Sequence, residues 1–111
     1  MEIQIDSSGP FPVANITGEL VGTEVERFAE ELHELVAGQG AALAVVLSSL
    51  DLIDSKGLAA LMNLVTRARL SDGKVVLVKP SAFVEGIFNV TRLDTWFDIC
   101  DNLEQAGQRL A

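Results

Sequence analysis

Ala41 to Leu70, AALAVVLSSLDLIDSKGLAALMNLVTRARL, is the stretch that decides the fold. Ala41 to Leu47 is a continuous apolar run rich in Val and Leu, too short to span a membrane and of the kind buried on both faces of a parallel sheet. A short polar break leads to Ile53-Asp54-Ser55-Lys56-Gly57. Beyond it, Leu58, Leu61, Met62, Val65 and Ala68 recur at the spacing of one helix face. The stretch therefore reads as a buried strand, a loop and a helix, with Asp54 and Ser55 at the helix start.

Working towards the N-terminus, Thr23 and Glu26 have the spacing of a capping box and predict a helix starting there. Its inner face is Val25, Phe28, Ala29, Leu32, Leu35 and Val36, its outer face is rich in glutamate, and Gly38-Gln39-Gly40 ends it. Before it, Met1 to Asp6 alternates like a half-buried strand, and a second strand closes near Gly18-Glu19-Leu20. Towards the C-terminus, Lys74 to Val78 reads as a buried strand and Pro80-Ser81 as the start of a helix with Val84, Ile87 and Phe88 inward. Trp96 to Cys100 reads as a last strand, and Asp101 with Glu104 as a second capping box opening a final helix. This order predicts an α/β fold: a mostly parallel sheet of about five strands, in which an edge strand can run antiparallel, covered by four helices. With no repeat or linker, residues 1–111 are expected to form a single domain.

Composition narrows the function. Hydrophobic residues make up 49% and charged residues 22%, a balance typical of globular chains. The net charge of −8 disfavours nucleic acid and anionic membrane surfaces as partners and points to a protein with a basic docking face. No apolar run reaches the roughly 20 residues of a membrane span, so no membrane insertion is expected. The acidic start MEIQID is unlike a signal peptide, and one cysteine, Cys100, fits a cytoplasmic setting. No cofactor, metal or catalytic residue is expected. The single histidine, His33, lies among glutamates as a surface residue and leaves Ser55 without a general base. One His and one Cys cannot make a structural zinc site, and no phosphate-cradling glycine loop occurs.

Two readings of Asp54-Ser55-Lys56-Gly57 stand on spacing alone. One is an ordinary helix N-cap with a glycine easing the turn. The other is a phosphoacceptor serine, whose phosphate would meet unpaired backbone N–H groups and the positive end of the helix dipole.

Taken together, these residues resemble the STAS domain, specifically bacterial anti-sigma-factor antagonists. Gly18-Glu19-Leu20, Ile53-Asp54-Ser55 with Gly57-Leu58, Val76-Leu77-Val78 before Pro80-Ser81, and Thr91-Arg92-Leu93 carry the resemblance. It implies that Ser55 is the phosphorylation site and that Asp54 orients it. It also implies that Asp54, Lys56, Gly57, Leu58, Glu19 and Leu20 form a surface for a protein partner. That partner would be a serine-kinase anti-sigma factor, bound when Ser55 is unphosphorylated, with a PP2C-type phosphatase resetting the switch. The chain departs from the family pattern at Val21, where an aspartate is usual, at Lys56, where Ser or Thr is common, and at Arg92, where a glycine is usual. Val21 and Lys56 speak for an alternative: a constitutive STAS scaffold of a signalling or transporter complex that is never phosphorylated. A small-molecule pocket at the strand ends is a third reading.

Overall fold

A computed structural model describes all 111 residues. The strands are β1 (Glu2–Asp6), β2 (Val13–Leu20), β3 (Ala42–Val46), β4 (Leu50–Ile53), β5 (Lys74–Val78) and β6 (Asp98–Cys100). The helices are α1 (Val25–Leu32), α2 (Ser55–Leu70), α3 (Ala82–Val90) and α4 (Leu103–Leu110). The sheet runs β1-β2-β3-β5-β6 and is parallel except for the β1–β2 pair at its edge, where Ile3 faces Ile16.

The strand not anticipated is β4. It pairs with β2 in parallel, Gly18 to Leu50 and Leu20 to Ile53, continuing the edge of β2 that β3 occupies between Val13 and Asn15. The register shifts between Gly18 and Glu19, and Gly18 takes φ +89°, a conformation that glycine enters without a Cβ penalty. Through β4 the chain carries α2 straight to the end of β2.

β3, and β5 beyond its exposed first residue Lys74, are apolar because helices cover both faces of the sheet. Leu43, Val45, Val75 and Leu77 point into a larger core of 21 buried residues with α1, α2 and α3. Ala44, Val76, Val78 and Cys100 point into a smaller one of five, completed by Ala106 of α4.

Both capping boxes need correction. Neither Thr23 nor Glu26 caps α1: the chain enters through a 3-10 turn, Gly22–Glu24, and neither Val21 before the turn nor Glu24 before α1 makes a side-chain cap bond. The final helix is capped one residue later than Asp101, by Asn102, whose side chain accepts the Gln105 N–H at 2.9 Å. Gln105 Oε1 in turn accepts the Asp101 N–H at 3.0 Å. The last strand is also shorter than Trp96–Cys100: Trp96 and Phe97 lie in the preceding turn, where Phe97 is buried against Phe88 with ring centroids 4.9 Å apart. His33 is half-buried rather than freely solvated, and burial, helped by the Arg67 charge, holds its imidazole below the ordinary value. No helix is long and apolar enough to cross a membrane, and no three His, Cys, Asp or Glu side chains are grouped to hold a metal ion.

Candidate functional site

The first turn of α2 sits against the end of β2. Gly57 makes this possible: a Cβ there would stand 2.0 Å from the Leu20 carbonyl oxygen and 3.0 Å from Ile53 Cγ1. No side chain fits in that gap. Leu20 itself is fully buried, so its side chain belongs to the core and offers nothing to a partner, contrary to the sequence expectation. Gly57 is likewise buried, and Leu58 is half-buried against the core. Glu19, Ser55 and Lys56 are exposed.

Asp54 is the N-cap of α2 and also a tie between two segments. Its Oδ1 accepts the Gly57 N–H at 2.8 Å and its Oδ2 accepts the Gly22 N–H at 2.9 Å, across 32 residues of sequence. These hydrogen bonds, from Gly57 and then Gly22, hold the carboxyl below its usual value. Asp54 thus does not orient Ser55 by a hydrogen bond, and both of its oxygens are committed to backbone N–H groups. Of the donors at this helix end, the Gly57 N–H is taken by Asp54 Oδ1 and the Leu58 N–H by the Asp54 carbonyl, which leaves those of Ser55 and Lys56 at the open end.

Ser55 is the first residue of α2 and is exposed. It lines an open cleft of about 450 Å³ with Val21, Gly22, Thr23, Asp54 and Lys56. Lys56 leans over the β2–α1 turn: a Cβ on Gly22 would come within 3.0 Å of Lys56 Cδ and 3.7 Å of its Nζ. An adjoining shallow groove along α2 is bordered by Val25, Ala59, Ala60 and Asn63. The cleft therefore presents a primary hydroxyl and an ammonium to whatever docks there. Its one carboxylate, Asp54, is engaged by backbone N–H groups, and no imidazole lines it. Sequence reasoning missed the partnership of Gly22 with Asp54 and Lys56, which only the tertiary fold creates.

The STAS-domain family model matches residues 2–106. Among solved structures, Thermotoga maritima protein TM1081 is 25% identical, with TM-score 0.79 over 98% of this chain and 92% of that one. An anti-sigma-factor antagonist (STAS) domain protein of Planctomyces limnophilus is 18% identical, with TM-score 0.84 over 97% of each chain. The phosphorylated Bacillus cell fate determinant SpoIIAA is 18% identical, with TM-score 0.72 over 99% of this chain and 100% of that one. The unphosphorylated form of SpoIIAA, an anti-sigma factor antagonist, superposes with the same TM-score of 0.72. No curated protein is a significant sequence match. With the fold, the Asp54-Ser55 helix start and a family match over nearly the whole length in agreement, the chain belongs to the STAS-domain family.

Proposed function

We propose that this protein is an anti-sigma-factor antagonist, a non-enzymatic cytoplasmic regulator of transcription that works by partner switching. Unphosphorylated, it binds a serine-kinase anti-sigma factor through the surface around Ser55, comprising Asp54, Lys56, Leu58 and Glu19. The kinase transfers the γ-phosphoryl group of ATP to Ser55 Oγ, the hydroxyl proton leaves to solvent or to a kinase base, and the complex separates. A PP2C-type phosphatase hydrolyses the ester and restores binding.

The observation that carries this reading is the position of Ser55: exposed, at the first residue of a 16-residue helix, outside the core. A phosphoryl group added there displaces no buried side chain, yet brings about −1.5 to −2 charges to the docking surface. Confronting such a charge with a desolvated or like-charged partner surface costs several kcal/mol, and each ~1.4 kcal/mol is tenfold in affinity. That the fold superposes equally on the phosphorylated and unphosphorylated forms of SpoIIAA is in keeping with a switch that leaves the backbone unchanged.

The test is binding to the cognate kinase by calorimetry. Ser55→Ala should bind constitutively and Ser55→Glu should weaken binding at least tenfold with the melting temperature unchanged. Unaltered affinity of Ser55→Glu refutes the switch. A second reading, a constitutive scaffold, is favoured by Val21, which lines the cleft without a carboxylate. Incubation with kinase and ATP followed by intact mass separates them, because a scaffold gains no phosphate.

A further inference from the structure

The cleft beside Ser55 holds one cation, Lys56, that forms no direct ion pair, although the Asp54 carboxylate lies near enough to feel its charge. Of the charged groups around it, Asp54 is bound by the N–H groups of Gly22 and Gly57. Arg27 is paired with Glu24 and Glu31 and also donates to the Met1 carbonyl, while the N-terminal amine of Met1 lies against Glu24. Glu19, at the end of β2, is exposed. Lys56 takes part in none of the four ion pairs of the molecule. Successive residues of a helix do not ordinarily face one another. Here the stem of Lys56 lies against the Gly22 backbone and the cleft is lined by Ser55 and Lys56 together, so the ammonium and the hydroxyl border the same space.

A phosphate on Ser55 would find the Gly57 N–H already taken by Asp54 and the Leu58 N–H inside the helix, which leaves the neutral N–H groups of Ser55 and Lys56 and the charged Lys56 side chain. The strongest remaining donor within reach is the Lys56 ammonium. Charge-assisted N–H···O bonds of this type are roughly twice as strong as neutral ones. Val21, where a carboxylate would repel a phosphate, is apolar.

We propose that Lys56 is the internal counter-ion of the phosphorylated form, receiving the Ser55 phosphate within the cleft and keeping it fully ionised at neutral pH. This rests on the reading of Ser55 as phosphoacceptor and specifies what that site does once modified. Phosphorylation then draws Lys56 into an ion pair inside the cleft, so the partner loses an accessible cation as well as meeting an anion.

Phosphoserine installed at position 55 during translation tests this without any kinase. Phosphorus NMR follows its second ionisation, near pH 6 for an exposed phosphoserine. With Lys56 present, the midpoint should lie about 0.5–1 pH unit below that of the Lys56→Gln protein, less than a buried ion pair gives because the site is open to solvent. Lys56→Arg should keep the low midpoint, and the gap should narrow at ~1 M salt. Equal midpoints in the Lys56 and Lys56→Gln proteins, with matching circular dichroism spectra, overturn the proposal. Failure of the kinase to phosphorylate Ser55 refutes the proposed function instead and leaves these midpoints unmoved.

Discussion

Gly57→Ala puts two rules of protein stability in opposition. Inside a helix, alanine is favoured over glycine by about 1 kcal/mol, so propensity alone predicts a more stable protein. The packing predicts the reverse. The new methyl carbon would stand 2.0 Å from the Leu20 oxygen and 2.9 Å from its carbon. Both are main-chain atoms of a strand held by β3 and β4, so neither can swing aside. Restoring an ordinary separation of about 3.2 Å requires the first turn of α2 to lift by more than 1 Å. A gap of that size forfeits a quarter to a half of the dispersion contact beneath it, where Ala60, Leu61 and Leu64 are buried. Overpacking commonly costs about 1–3 kcal/mol and more against rigid backbone, here about 4 kcal/mol, which leaves a net loss of about 3 kcal/mol after the propensity gain. With an unfolding entropy of roughly 0.23 kcal/mol/K for a chain of this length, the melting temperature should fall by about 13 °C. Thermal melts by circular dichroism measure the fall, and urea titration shows whether the m-value holds, as it must if both proteins unfold from one compact state. An unchanged or raised melting temperature would refute the reasoning and show the β2–α2 contact to be compliant.

Other outcomes follow from single contacts. Arg92 occupies the left-handed position closing α3, with φ +64°, while Leu93 N–H reaches the Phe88 carbonyl at 2.9 Å and Arg92 N–H that of Asn89 at 3.2 Å. Glycine suits this Schellman arrangement better, so Arg92→Gly should raise stability by about 0.5–1 kcal/mol in urea titrations. Asp54→Asn would set an amide N–H₂ against one of the two backbone N–H groups and should lower the melting temperature at neutral pH. Because the folded carboxyl is held below its ordinary 3.8, its stabilisation is full above that value and disappears as pH falls through the lowered folded value. The difference between the wild-type and Asp54→Asn proteins should therefore shrink on acidification through that window. Phe88→Ala, which empties a fully buried site beside Phe97, should cost about 3–5 kcal/mol by the same titration. The Cys100 thiol, pushed up by burial, should react with iodoacetamide slowly in the native protein and readily in denaturant.

What was legible in the sequence was whatever periodicity alone determines. Lys74 to Val78 reads as a strand because the four residues after Lys74 suit a pleat covered on both sides, and α2 because its apolar residues recur every three to four positions. β4 escaped because Leu50-Asp51-Leu52-Ile53 is only four residues long and buries its first and last, the i, i+3 spacing of a helix face rather than the alternation of a strand. Thr23 and Glu26 have capping-box spacing, but the turn they belong to is held from outside by Asp54. Local pattern cannot register a bond to a residue 32 positions away. The same limit applies at the candidate site: Asp54 and Ser55 are visible as a helix start, whereas the lean of Lys56 over Gly22 exists only once β2 and α2 are side by side.

The unequal division of the core has a consequence for how the molecule breathes. Twenty-one buried residues fasten α1, α2 and α3 to one face of the sheet, while α4 is fastened to the other by a cluster of five. The outer strand it overlies, β6, has only three residues and one neighbour. Detachment of this C-terminal flap requires far less apolar surface to be wetted than global unfolding does. Its amides should exchange with deuterium at a rate set by that partial opening, while those of β3 and β5 wait for the whole structure to come apart. The cleft at Ser55 is built on the slowly exchanging side, so the surface proposed to change partners rests on the part of the molecule that opens least.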